Sequence, residues 1–332
     1  MRHGRPMTLV FTGFPCLQGN TLPAKVSFHW ISGCSAHAGS GPRATILFYC
    51  VACGRVYRSI GCDILCLRGL SLATHNTSVW KLVLAYDGTD FSGWQVQPGL
   101  VTVQGELRDA LARVTGEEVL PQGSGRTDAG VHALGQVASF SLAAPIPEVN
   151  LARALNRTLP PSIRVLSATR VKDDFHARHS AQAKTYEYRI FRGEICPPWQ
   201  ARYVYALPAP LDIEAMQRAA ARVCGEHDFL SFAASDPDRG ERDGHATPGD
   251  SVRFLHASHW LEEPQLLVYR VRGNGFLHHM VRNLVGTFLE VGRGNLRETE
   301  IPAILDARSR ERAGPTAPAR GLFLVQVDYL QD

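Results

Sequence analysis

The sequence VWKLVLAYDG, residues 79–88, is the first stretch of this chain with a clear structural pattern. It is largely apolar and rich in strand formers, and its Asp87-Gly88 pair is a turn signal. It therefore predicts a core β-strand at 79–86. Further along, residues 102–114 place apolar side chains at helical spacing, with Thr102 as the N-cap and Gly116 as the C-terminal stop. We expect an amphipathic helix packed on a sheet.

Strands and helices continue to mix over the rest of the chain. The pattern predicts helices at 149–158, 211–223 and 276–291, and it predicts strands at the end of 131–140 and at 163–171, 185–191, 253–260, 266–271 and 322–329. Residues 234–250 are polar and rich in Gly and Pro, which predicts an exposed loop. Because the order lacks regular βαβ alternation, it favours an α+β fold whose sheet is covered mainly on one face.

Composition separates the front of the 332-residue chain from the rest. Seven of the 35 basic residues and one of the 31 acidic residues lie in residues 1–75. The body of the chain, residues 76–332, therefore holds 28 basic and 30 acidic residues. The overall charge of +4 therefore belongs to the front segment, and any RNA site in the body must be a local basic patch.

The sequence of the front segment, residues 1–76, has no sustained helical or strand periodicity, so it indicates no fold. Its apolar run at 45–53 is about half the roughly 20 residues of a membrane-spanning helix, and it does not resemble a signal peptide. The favoured interpretation is an unstructured leader, or an upstream stretch joined to the protein by a misplaced start. The alternative is a zinc site formed by Cys50, Cys53, Cys62 and Cys66, two closely spaced pairs of thiols.

A glycine-rich turn at 123–130 is the first candidate site. It lacks the third glycine of a dinucleotide-binding loop and the Gly-Lys-Ser/Thr of a phosphate loop. It presents the carboxylate of Asp128 two residues after Arg126, although a hydrogen-bonded Asx turn explains Asp128 equally well. A triad of Ser124, His132 and Asp128 is disfavoured, because such triads normally assemble from distant segments.

Two further segments carry candidate residues. In the predicted helix at 276–291, His278, Arg282 and Gly286 recur every four residues, and a solvated surface is the favoured interpretation. A metal pair of His278 and His279 is disfavoured, because adjacent helical residues diverge by about 100°. On the predicted strand that begins near Lys184, basic residues alternate with tyrosines. They could stack a base for roughly 1–3 kcal/mol and neutralise phosphates, although core packing is the more common use of such tyrosines.

These segments, in this order, resemble the A-type tRNA pseudouridine synthases, the TruA family. The resemblance covers about three quarters of the chain, from Val79 to Leu330. It is carried by the stretches 86–95, 125–132, 174–178, 184–188, 225–229, 276–286 and 321–325.

The resemblance implies the pseudouridine synthase fold, in which two similar halves share a mostly antiparallel sheet with helices on one face. The halves would be residues 77–180, which carry Asp128, and 181–332, which carry Tyr186 and Arg282. It also implies a cytoplasmic homodimer that converts uridine to pseudouridine at positions 38–40 of the tRNA anticodon stem-loop, without metal or organic cofactor. The alternative is an RNA-binding or tRNA-folding module of the same fold without turnover.

The resemblance also assigns roles to residues. Asp128 would be the nucleophile, Tyr186 the ring against the target base, Arg282 the partner of the carboxylate, and Arg126 a group that helps to extrude the base. Because the body carries a small net negative charge, contacts to phosphates would come from local basic groups such as Arg126, Arg178, Lys184 and Arg189. A buried carboxylate stays charged only with an opposite charge within about 4–6 Å. We therefore expect Asp128 and Arg282 to meet in a cleft between the two halves.

Overall fold

The computed structural model describes residues 26–27, 46–50, 55–59, 77–234 and 251–330. The chain divides into two compact units, Met1–Thr74 and His75–Asp332. In the first unit β1 (Val26–Ser27), β2 (Ile46–Cys50) and β3 (Arg55–Ser59) form an antiparallel sheet in that order. The sequence pattern predicted no element here. The side chains of the cysteine group at 50–66 and the loop at 235–250 lie outside the described residues, so the zinc site and the exposed loop stay predictions.

The second unit is built on one large sheet. Its strands are β4 (Ser78–Tyr86), β5 (Gln122–Gly123), β6 (His132–Leu142), β7 (Ile163–Val171), β8 (Ala181–Phe191), β9 (Tyr205–Ala206), β10 (Gly225–Asp228), β11 (Val252–Glu263), β12 (Leu266–Gly273) and β13 (Leu322–Tyr329). They lie in the order β10-β11-β12-β8-β13-β6-β4-β7, with β5 beside β6 and β9 beside β8. Only the β13–β6 and β8–β9 pairs of this sheet are parallel among the described strands. The predicted α+β, mostly antiparallel architecture is confirmed.

Helices in the second unit are α1 (Val103–Thr115), α2 (Glu148–Thr158), α3 (Ile213–Ala221), α4 (Met280–Gly292) and α5 (Ile301–Ala307). The predicted ends of α1 are confirmed. The Thr102 side chain accepts a hydrogen bond from the backbone N–H of Gly105, and Gly116 ends the helix in the left-handed conformation with φ of 76°. Strands β5, β9 and β10 and helix α5 were not predicted.

The helices that pack near β4 and the helix that packs near β12 cover the same face of the sheet. In β4 the alternate residues Trp80, Leu82 and Leu84 are buried, and they share a core with leucines of α1 and α2. Towards the other end, Tyr269 of β12 lies 5.4 Å from Phe288 of α4, measured between ring centroids. Strand register, followed through β6, β13 and β8, places these residues on one side of the sheet, because side chains paired across a ladder share a face.

Helix α4 begins four residues later than the sequence predicted. The helix starts at Met280, and His279 before it adopts a left-handed φ of 59°. His278 therefore lies outside the helix, and the prediction that His278, Arg282 and Gly286 share one helical face is wrong. The reversed backbone at His279 instead turns the end of the preceding loop towards the turn at 123–130.

The interpretation of this part of α4 as a solvated surface is also wrong, because the segment 314–317 packs along it. A Cβ atom on Gly286 would lie 1.6 Å from the carbonyl oxygen of Pro315, so only glycine fits there. Two hydrogen bonds continue the contact: the Ala317 N–H donates to the Arg282 carbonyl at 3.1 Å, and Arg282 Nε donates to the Ala317 carbonyl at 2.7 Å. This packing orients the Arg282 side chain.

Candidate active site

The turn at 123–130, between β5 and β6, is held by hydrogen bonds from several elements. Gln136 of β6 accepts from the Ser124 hydroxyl at 2.8 Å and donates to the Gly125 carbonyl at 2.9 Å. The hydroxyls of Tyr86 and Thr127 are 2.8 Å apart, and burial raises the pKa of Tyr86 to about 12. The turn is thus a fixed platform, and Asp128 is presented from its far end.

The structure brings Asp128 and Arg282 together, although they lie 154 residues apart in the chain. Arg282 Nη1 donates to Asp128 Oδ2 at 2.9 Å, and the two side chains are 14% and 20% exposed. His279 Nε2 lies 3.3 Å from Oδ2, and His278 Nε2 lies 3.6 Å from Oδ1. The carboxylate therefore faces one guanidinium and two imidazoles.

These two histidines were set aside at the sequence level because adjacent helical residues diverge. The left-handed backbone at His279 removes that objection, and the two imidazole rings lie 4.0 Å apart. Among the residues that the structure describes, the ligand atoms of Asp128, His278 and His279 lie within 4.8 Å of one another, close enough to hold a metal ion. The guanidinium of Arg282 disfavours a metal ion at this position, because it already pairs with the same carboxylate and its positive charge would repel the ion.

Tyr186 lies on β8 beside the same turn. The residue is 7% exposed, and its ring contacts Phe276 edge to face, with centroids 5.0 Å apart. A Cβ atom on Gly125 would lie 3.7 Å from the Tyr186 hydroxyl, so the ring and the turn are neighbours. Burial raises the pKa of the Tyr186 phenol, and the nearby Tyr86 and Asp128 raise it further. The phenol is therefore protonated at neutral pH.

The predicted basic groups differ in their surroundings. Arg126 is half-buried in the turn, and Arg178 is exposed in the loop between β7 and β8. Lys184 is half-buried, and its Nζ donates to the Ser124 carbonyl at 2.5 Å instead of pointing to solvent. Arg189 donates to Glu187 at 3.1 Å on the opposite face of the sheet from Tyr186.

The triad that the sequence disfavoured is not formed. His132 Nδ1 accepts from the Gly88 N–H at 3.1 Å, and Nε2 lies 3.0 Å from the Arg202 carbonyl. Burial lowers the pKa of His132, although Asp87 beside it acts in the opposite direction. Since Ser124 is bonded to Gln136 and Asp128 to Arg282, the three residues do not form a relay.

Among the described residues, every helix is too short or too polar to span a lipid bilayer.

Comparison with known proteins gives consistent results. A sequence model of a family described as tRNA pseudouridine synthase matches residues 82–180 and 219–330. A tRNA pseudouridine synthase A of Solibacter usitatus is 54% identical over 250 residues, which cover 75% of this chain and 98% of the relative. Proteins of the same name from Moorella thermoacetica and Brevibacillus brevis are 49% and 47% identical, each over 75% of this chain and 98% of their own length.

Proposed function

The chain belongs to the tRNA pseudouridine synthase family and isomerises uridine to pseudouridine in tRNA, and we propose that it acts at positions 38–40 of the anticodon stem-loop with Asp128 as nucleophile. The observation that supports this most directly is the pair of Asp128 and Arg282, in which a turn between β5 and β6 meets the first turn of α4. A pure RNA-binding module has no need of a carboxylate facing anionic RNA.

The reaction breaks the N1–C1′ bond of uridine and forms a C5–C1′ bond. C5 loses a proton and N1 gains one, so the atoms balance without an oxidant, a reductant or a second substrate. A carboxylate can hold either the base or the sugar while the uracil turns, by attack at C6 or at C1′. Arg282 fixes the orientation of this carboxylate through two directed contacts, one to Asp128 and one to the Ala317 carbonyl.

Asp128 can reach the uridine only after the base leaves its stack, which costs a few kcal/mol. We infer that Arg126, two residues before Asp128 on the turn, helps to extrude the base and that the Tyr186 ring then lies against it. We also infer that Arg178, exposed in the loop between β7 and β8, contacts a phosphate. The ammonium of Lys184 would first have to leave the Ser124 carbonyl to do so.

The role of Tyr186 can be measured separately from turnover. Tyr186→Phe keeps the ring, so we expect its tRNA dissociation constant to stay within about threefold of wild type. Tyr186→Leu loses the stack and should weaken binding by about 1–3 kcal/mol, or roughly 5- to 150-fold. Fluorescence anisotropy with labelled tRNA measures both. A large loss of affinity in Tyr186→Phe would contradict stacking as the main contribution of this residue to binding.

We also infer a homodimer. The body carries more acidic than basic residues, so the extended negative surface of a tRNA would be contacted more fully by two copies of the local basic groups than by one. Light scattering of the purified chain should give the mass of two chains. The mass of a single chain at assay concentration would exclude this part of the proposal.

Tritium release from tRNA labelled at uridine C5 tests the function as a whole. Native tRNA should release tritium, and tRNA with cytidine at positions 38–40 should release none. Release that persists in the substituted tRNA would place the target elsewhere. Tight binding of native tRNA without any release would favour the alternative, a module that binds or folds tRNA without turnover.

A further inference from the structure

Lys184 makes an unusual contact for a lysine in a sheet. It lies on β8, paired with Gly273 of β12 on one side and Val327 of β13 on the other, so it is interior to the sheet. Its Nζ donates to the Ser124 carbonyl at 2.5 Å. A Cβ atom on Gly125 would lie only 3.2 Å from that Nζ, so the glycine leaves the space that the ammonium occupies.

This location disfavours the charged form of the side chain. Burial, together with the positive charges of Arg178 and Arg253, lowers the pKa of Lys184 to about 8. The hydroxyl of Tyr186, two residues along the strand, lies on the same side of the sheet. A charged group in such surroundings lowers stability compared with an apolar side chain of similar shape. The charge of this lysine therefore contributes little to the stability of the fold.

The contact joins the two parts of the candidate site. Gln136 holds the turn at 123–130 from β6, in the first part of the sheet, whereas Lys184 holds it from β8. The same strand carries Tyr186, two residues on. The bond from Lys184 thus sets the distance between the strand that carries the tyrosine and the turn that carries Asp128.

We propose that Lys184 is a positioning residue for the isomerisation, and that its charged ammonium holds the Ser124 carbonyl so that Arg126 and Asp128 keep their place opposite Tyr186. The inference rests on the proposed function. Charge matters here because a hydrogen bond from an ionised donor is about twice as strong as one between neutral groups. Sub-ångström precision also matters, since a misplacement of about 1 Å can cost a factor of 10² in rate.

Lys184→Met tests the proposal through rate, binding and stability together. We expect the single-turnover rate at saturating enzyme to fall about 10- to 100-fold, with the tRNA dissociation constant close to wild type. The melting temperature at pH 7 should change little, because removal of a disfavoured charge offsets the loss of the hydrogen-bond donor to the Ser124 carbonyl. A lower melting temperature with an unchanged rate in the folded fraction would show a merely structural role and would overturn the proposal.

The pH profile separates charge from shape. Because the amine is protonated below a pKa of about 8, the positioning bond is strong there and weakens as pH rises through that value. We expect the wild-type single-turnover rate to fall above pH 8, and Lys184→Met to be slow and flat over the same range. Lys184→Arg, which stays charged, should shift the fall to higher pH. If wild type and Lys184→Met share one alkaline profile, the proposal is wrong.

A phosphate contact by Lys184 is the competing role, and it predicts different results. Removal of one phosphate contact would weaken tRNA binding and reduce the slope of log affinity against log salt by about 0.7–0.9, with the chemical rate unchanged. Lys81→Met is the matched control. Lys81 is also interior to the sheet, its Nζ lies 4.5 Å from the centre of the Tyr329 ring, and its loss should leave the rate unchanged. If wild type itself releases no tritium, the proposed function fails rather than this inference.

Discussion

Replacing Asp128 with asparagine should abolish tritium release from C5-labelled tRNA while tRNA binding is preserved. The amide has nearly the shape of the carboxylate, but it cannot form the covalent bond that the isomerisation requires. Removal of a nucleophile lowers rates by about 10⁴-fold or more. Affinity for tRNA should be equal to or tighter than that of wild type, because one negative charge facing the RNA is lost. Single-turnover assays and anisotropy on the same preparation measure both quantities.

A second carboxylate near the turn provides the control. Asp90 is 73% exposed and pairs with Arg202 at 3.1 Å, in the loop that follows β4. Asp90→Asn removes the same charge without touching Arg282, and its rate should stay near that of wild type. Turnover that survives in Asp128→Asn would remove Asp128 from the nucleophile role. Loss of binding together with turnover would show instead that Asp128 organises the site.

The fold was largely predictable because its decisive signals are local. The alternation of Trp80, Leu82 and Leu84 predicts a strand with one buried face, and Thr102 and Gly116 predict both ends of α1. Strand β10 was missed because its sequence GEHD has none of the apolar alternation that marks a strand. Its place in the sheet comes from pairing with residues 252–255, a contact with no local signal.

The site was less predictable, because its geometry depends on contacts that are distant in sequence. Periodicity alone favoured a solvated Arg282, and only the family resemblance predicted it as the partner of Asp128, since nothing in its own helix predicts that residues 314–317 pack along it. The left-handed backbone of His279 also has no sequence signal, because non-glycine residues rarely adopt this conformation. Lys184 was predicted to contact phosphate because of its charge. The contact that it makes, with the Ser124 carbonyl, could not be predicted because Ser124 lies 60 residues earlier in the chain. The roles of these residues stay predictions.

Replacing Arg282 with methionine should cost most of the activity, by about 10²- to 10³-fold in the single-turnover rate. This is the size of loss, about 10²–10³ in kcat, that follows removal of one preorganised hydrogen-bond donor from an active site, and Arg282 Nη1 donates to Asp128 at 2.9 Å. The single-turnover rate of Arg282→Lys should lie between the rates of wild type and Arg282→Met. A lysine keeps the charge, but its single ammonium cannot reproduce the fork that reaches both Asp128 and the Ala317 carbonyl.

Arg293, the residue directly after α4, is the matched control for Arg282. It pairs with Glu290 in α4, where both side chains are partly exposed, and Arg293→Met should leave the rate unchanged. The double variant Asp128→Asn with Arg282→Met then decides whether the pair works as a unit. If Arg282 acts through the carboxylate, the double variant should be no slower than Asp128→Asn alone, because the group it serves is already absent. Independent, multiplying losses would mean that Arg282 contacts the RNA directly, and a wild-type rate in Arg282→Met would remove it from the mechanism.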